Sequence, residues 1–257
     1  MRNDVILRCL GLGIAAIIGL LGCSAGPSDP GPLKEKPDLA PDFPEGTGQQ
    51  PKGTTAYAPG PYGISKGSVI ANYHFIGYAN AQVESGSLQP IQLADFYNPH
   101  ADDPNYVPEE GGQDDRLYPP GSPYGEGTPK PKALLIDVAS VWCGPCNTEA
   151  KSVLPGLHVK YKPCGGEFLL QLADGATPGI AATQLNLYNW TFKYKVDFPA
   201  TIDPTYKLGA LFDANAFPAN MIIDTRTMTI KEVIAGVPDA YFWSIYAKTL
   251  NDPACPN

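Results

Sequence analysis

Ala133-Leu134-Leu135-Ile136-Asp137-Val138-Ala139-Ser140-Val141-Trp142-Cys143-Gly144-Pro145-Cys146 is the stretch whose reading decides the fold. Its apolar run, Ala133 to Val138, reads as a buried strand interrupted once by Asp137. A short turn leads to two cysteines separated by two residues. Asn147-Thr148-Glu149-Ala150-Lys151-Ser152-Val153-Leu154 then reads as a helix start. Cys143 therefore sits at a helix N-terminus, where unpaired backbone N–H groups and the helix dipole favour a thiolate. The thiolate is the nucleophile of thiol–disulfide exchange, and Cys146, one turn further in, can attack the mixed disulfide that results. Zinc sites and structural pairs also use this cysteine spacing. A zinc site needs two more ligands, and the chain has 3 histidines, none near a second such pair.

Trp142-Cys143-Gly144-Pro145-Cys146 resembles the thioredoxin active-site motif at every position. Ala216-Phe217-Pro218-Ala219-Asn220-Met221-Ile222-Ile223-Asp224 resembles that family's cis-proline loop and the strand after it. The layout before the motif is similar to membrane-tethered thioredoxin-like proteins of the TlpA/ResA type, and the likeness runs from about Val69 to Asn251. It implies an α/β thioredoxin fold, a central mixed sheet flanked by helices, with an N-terminal β extension and one long loop insertion. It implies a redox pair with Cys143 as nucleophile and Cys146 as the more buried resolving thiol. Trp142, Gly144, Pro145, Phe217 and a cis Pro218 would form the substrate-binding rim. Phe217 departs from the smaller residue usual there and would narrow the substrate range. Asp137 matches an aspartate of thioredoxin itself. A buried carboxyl has a raised pKa, so Asp137 is the candidate acceptor for the Cys146 proton; a backbone-capping Asp is the structural alternative.

At 257 residues, one or two domains are possible. Met1 to Gly22 carries Arg2, Arg8 and the apolar run Leu10 to Leu21, too short to span a bilayer comfortably, and reads as a signal peptide. Leu20-Leu21-Gly22-Cys23 resembles a bacterial lipobox, which implies cleavage before Cys23 and lipidation of that cysteine. An ordinary signal peptide or an uncleaved anchor is the alternative. With Ser24 following, the lipoprotein pattern favours the outer membrane, periplasmic side. The leader holds two bases and one acid, so the mature chain is more acidic than the net −8 of the whole. Such a protein repels nucleic acid.

Residues 23–60 are rich in proline and glycine and lack apolar periodicity, which reads as an extended tether before a folded domain at 61–257. Ser68 to Tyr78 suits a strand, and Ile91 to Phe96 resembles a segment that precedes the first core strand in TlpA-like proteins. Residues 98–131 are an acidic, proline-rich insertion, expected as a solvated loop pinned by Tyr97, Tyr106, Tyr118 and Tyr124. The paired acids there have no EF-hand spacing, so no metal is assigned.

Thr148 to Lys162 continues the active-site helix, with a kink expected from Pro155. His158 reads as a surface residue. Glu167 to Ala173 is a buried strand. Pro178 to Tyr194 reads as a helix, Phe198 to Asp203 as a short extended segment and Tyr206 to Phe212 as a short helix. Met221–Asp224 and Thr229–Ala235 form a hairpin, and Pro238 to Leu250 is the closing helix. Cys164 and Cys255 are an even remainder in an exported chain. In the thioredoxin fold the helices they follow end at the same pole, so the resemblance implies a structural disulfide between them.

These features lead to the expectation of a lipid-anchored, monomeric thiol–disulfide oxidoreductase that needs no cofactor. Its partners would be protein thiol or disulfide clients and an upstream membrane electron donor, with reduction favoured over oxidation. A thioredoxin-like binding module or metal chaperone is one alternative, although the related copper site wants a longer cysteine spacing and a histidine. A peroxiredoxin is another, although its Thr-x-x-Cys arrangement is missing.

Overall fold

The computed structural model describes residues 56–82, 88–203, 208, 216–253 and 255. The leader, Cys23, most of the tether and all of the expected Tyr206–Phe212 helix except Leu208 lie outside them. Among the described residues seven strands and four α-helices follow in order: β1 (His74–Tyr78), β2 (Gln89–Gln92), β3 (Ala133–Ser140), α1 (Gly144–Ser152), α2 (Leu154–Tyr161), β4 (Gly166–Asp174), α3 (Gln184–Tyr194), β5 (Ala200–Ile202), β6 (Ala219–Asp224), β7 (Thr229–Ala235) and α4 (Ala240–Leu250). They form one sheet in the order β2-β1-β5-β4-β3-β6-β7. β3, β4 and β5 run parallel and the outer pairs antiparallel. This is the thioredoxin fold, extended by the β1–β2 pair.

Every residue of β3 and β4 is buried, as a parallel strand covered on both faces requires. Alternation along β3 sends Leu135 and Ala139 into a core with the cysteines, α2, α3 and α4. Leu134, Ile136 and Val138 enter a second core on the other face, with Ile70, Phe75, Ile91, Leu93 and Phe96. This second core reaches into the expected tether, where Tyr57 and Ala58 are buried and the Tyr57 hydroxyl donates to the Ile70 carbonyl at 2.9 Å. An aromatic ring can bury area that the prolines and glycines around it cannot.

Several expectations change in detail. The Ser68–Tyr78 strand is divided: Ile70 N–H donates to the Met228 carbonyl beside β7, while β1 begins at His74 on the opposite side of the sheet. Gly77 lets β1 approach β5, because a Cβ there would overlap the Ala200 carbonyl. The active-site helix breaks at Val153, two residues before Pro155, whose ring removes a helical donor. α3 starts six residues later than Pro178. Gly179 has φ +74°, and Thr183 forms a capping box with Asn186.

The surface assignment of His158 is overturned. It is 4% exposed, at the buried spacing of Leu154 and Tyr161, and its two ring nitrogens face Glu167 and Asp197, each at 3.0 Å. The insertion is not simply solvated. Leu117 bridges Pro129, Tyr118 is buried and stacks on Tyr124 at 5.0 Å, and the Tyr124 hydroxyl donates to Asp95 at 3.0 Å. Asp102 pairs with Lys132 and Arg226 of the core. Among the described residues, no helix is long and apolar enough to cross a membrane.

Cys164 and Cys255 are joined, their Cα atoms 5.7 Å apart. Both are buried, one at the turn after α2 and the other after α4. The bond spans 91 residues, for which the chain-entropy account allows at most about 4–5 kcal/mol. Replacing both cysteines by serine is expected to lower the denaturant midpoint of the oxidised protein, by less than that limit. An unchanged midpoint would show that the bond contributes nothing.

Candidate active site

β3 ends at Ser140, and a three-residue turn delivers Cys143 to the N-cap of α1. The turn is held from both sides. Cys143 N–H donates to the Ser140 carbonyl at 3.1 Å, and Val141 N–H donates to the Asp174 carbonyl at the end of β4 at 3.1 Å. Cys143 is bonded to Cys146 with a Cα separation of 5.3 Å. Its sulfur also accepts the Cys146 backbone N–H at 3.1 Å, one of the orphan donors of the helix N-terminus. The site thus supplies the donor that would hold a thiolate after reduction. Cys146, expected to be the more buried, is 1% exposed and Cys143 2%, so burial barely separates them.

Around the sulfurs lies a mixed rim. Gly144 and Pro145 are exposed. Trp142 is 38% exposed and meets Phe217 edge-on, ring centres 5.9 Å apart. Its indole N–H donates to Asp174 at 3.0 Å, and the same carboxylate oxygen accepts Gly179 N–H at 2.9 Å. That fixes the ring and the loop after β4 together. Pro218 is buried and its peptide with Phe217 is cis. The residues read from the sequence therefore meet at one end of the sheet, apart from Asp137, which lies beneath them in β3.

Asp137 is 2% exposed and pairs across the sheet with Asn220 of β6. One of its carboxyl oxygens has no hydrogen-bond partner. It does not stand alone. Glu149 is buried on the face of α1 that carries Cys146, and the Asn220 side chain donates to it at 3.3 Å. Burial raises the Asp137 carboxyl well above its ordinary value. Burial, then the neighbouring Asp137 charge, raises Glu149, against a small opposing effect of the Asn220 hydrogen bond. Two carboxyls this close in a dry interior cannot both ionise cheaply, so they hold a proton near neutral pH. Sequence reasoning missed Glu149. Its signal was the spacing: three residues after Cys146 in a helix places it on the same face.

No model of a known protein family matches the chain, and no curated protein matches it. Solved structures resemble it at low identity. A crystal structure of a candidate thiol:disulfide interchange protein DsbE from Chlorobium tepidum is 15% identical, covers 73% of this chain and 99% of its own, and has a TM-score of 0.49. The solution structure of a thiol:disulfide interchange protein from Bacteroides sp. is 13% identical, over 74% of this chain and 93% of its own, with a TM-score of 0.46. The exposed lipoprotein thioredoxin Etrx1 of Streptococcus pneumoniae is 15% identical, over 68% of this chain and 98% of its own, at 0.41.

Asp137 and Glu149 bind a proton more tightly in the folded chain than in the unfolded one. Their contribution to stability therefore falls as pH rises from the ordinary carboxylate range towards their raised folded values. Below that range both states are protonated and the pair imposes no added cost. Asp137→Asn combined with Glu149→Gln should match the parent near about pH 4 and exceed its stability near about pH 8. The gain grows by about 1.4 kcal/mol per pH unit for each carboxyl that is ionised in the unfolded chain and still protonated in the folded one. Denaturant unfolding across that range checks this, and a variant no more stable than the parent at the upper end contradicts it.

Proposed function

We propose that the chain is an extracytoplasmic thiol–disulfide oxidoreductase, lipid-anchored at Cys23, that reduces disulfides in protein clients. The observation that carries this reading is the Cys143 sulfur at the N-cap of α1, bonded to Cys146 and facing its backbone N–H. The chemistry follows from that placement. The Cys143 thiolate attacks one sulfur of a client disulfide, forming a mixed disulfide and releasing a client thiolate. Cys146 gives its proton to the buried carboxyl pair and attacks the Cys143 sulfur. The client leaves with both its sulfurs reduced, and Cys143–Cys146 carries the oxidation. Two electrons from a membrane donor must then restore the dithiol.

The carboxyl pair suits the resolving step because its raised affinity for protons makes it a useful base near neutral pH. Asp137 and Glu149 act together in this reading, because the charge of Asp137 keeps Glu149 protonated. The rim supports a polypeptide client. Trp142 and Phe217 offer apolar faces, while exposed Gly144 and Pro145 let an extended chain lie close to the sulfurs. Anchoring is supported by the sequence Leu20-Leu21-Gly22-Cys23. Two disulfides fit a compartment that permits them, and Ser24 after Cys23 favours the outer membrane.

With dithiothreitol as electron source, the soluble chain starting near Thr54 should reduce insulin disulfides, and Cys143→Ser should abolish the activity. Cys146→Ser should accumulate mixed disulfides with clients. Retention of full activity by Cys143→Ser would overturn the assignment of the nucleophile. Asp137→Asn should slow turnover near neutral pH and recover part of it at higher pH, where Cys146 ionises unaided. An unchanged pH–rate profile would leave Asp137 without a proton-transfer role.

A further inference from the structure

The turn that carries the nucleophile has two carbonyls with the same partner. The Asn147 side-chain amide donates to the Val141 carbonyl at 3.0 Å and to the Cys143 carbonyl at 2.6 Å. Both of its protons are thereby used. The Cys143 carbonyl also accepts the Asn147 backbone N–H at 3.1 Å, the first bond of α1. On its other side the Asn147 oxygen accepts the Tyr194 hydroxyl and faces the Lys193 ammonium at 3.4 Å. Two carbonyls on one side and two donors on the other leave the amide a single consistent orientation. Leucine, alanine or aspartate at this position could not make the set.

The geometry points to Asn147 as a positioning residue for the Cys143 thiolate, linking the active-site turn to the last turn of α3. The effect of Asn147 is electrostatic as well as mechanical. Carbonyl oxygens at Val141 and Cys143 carry partial negative charge within two residues of the sulfur. Capping both with amide protons reduces their repulsion of a developing thiolate. Holding them also keeps the Cys146 N–H aimed at the sulfur. Through its oxygen, Asn147 is held by the Tyr194 hydroxyl and the Lys193 ammonium, which fixes the amide that caps the turn. The other ionisable groups packed around the site are Asp137 and Glu149 behind it and Asp174, whose carboxylate accepts from Trp142 and Gly179; the substitutions below leave all three in place.

This inference rests on the redox reading of the site, so its test must separate the two. The readout is the pH dependence of alkylation of Cys143 by iodoacetamide in the reduced, mature protein, followed on the Cys143 peptide by mass spectrometry. Asn147→Leu keeps approximate size but removes the donors. It should move the midpoint up by about one pH unit, a tenfold loss of rate below it. Tyr194→Phe removes one hydroxyl from a packed ring and should move the midpoint in the same direction by less. If both variants titrate as the parent does, Asn147 has no positioning role. If Asn147→Leu fails to fold, Tyr194→Phe decides the question alone. A parent Cys143 that titrates like a free thiol would instead overturn the redox reading itself.

Discussion

β3 has no exposed residue, and that constraint organises the molecule. A strand buried on both faces in the middle of a sheet has to be paired on both edges and roofed on both sides. β4 and β6 supply the edges. The parallel pairing with β4 requires a helical crossover, and that crossover is α1 and α2. Its first turn begins where β3 ends, so Cys143 falls at a helix N-terminus as a consequence of sheet topology. The place of the Cys143–Cys146 disulfide is thus a product of how the central strand is covered.

The same burial makes Asp137 consequential. A carboxyl on a strand of this kind has no water to ionise into, and Glu149 on the covering helix meets the same problem a few residues from Cys146. Burial raises the proton affinity of both, and the Asp137 charge raises that of Glu149 further. The cost falls on stability at neutral and alkaline pH. In the proposed mechanism the return is a proton acceptor for Cys146, which must lose its proton in the resolving step. Asn147 on the outer side and the carboxyl pair on the inner side then divide the work: one holds the turn that presents Cys143, the other lies behind Cys146.

Much of this was legible in the sequence because the deciding elements are local. An apolar run, a cysteine pair and a helix start within one stretch identify β3 and α1, and the hairpin β6–β7 follows from the short turn Thr225-Arg226-Thr227 between its strands. What escaped reading depends on contacts across the chain. His158 looked like a surface residue until Leu154 and Tyr161 placed it on the buried face of α2, with Glu167 and Asp197 waiting from other elements. The insertion, expected as a solvated loop pinned by tyrosines, is held by Tyr118 and Tyr124 as expected; its Leu117–Pro129 bridge and the Asp102 ion pairs are what its proline- and acid-rich composition did not record. The first strand was divided because its two halves pair on opposite sides of the sheet, which no period in the sequence records. Asn147 reads only as part of a helix start; its partners lie in a turn before it and in α3 far beyond it.

The measurement that bears most directly on the central claim is the reduction potential of Cys143/Cys146, obtained by equilibration in thiol–disulfide buffers with the thiols mapped by mass spectrometry. The account predicts a reversible two-electron couple on these two cysteines, with Cys164–Cys255 intact and a potential below about −200 mV, in the range of reducing thiol proteins. A pair that does not exchange with the buffer, or one poised near about −120 mV like a strong oxidant, would contradict it.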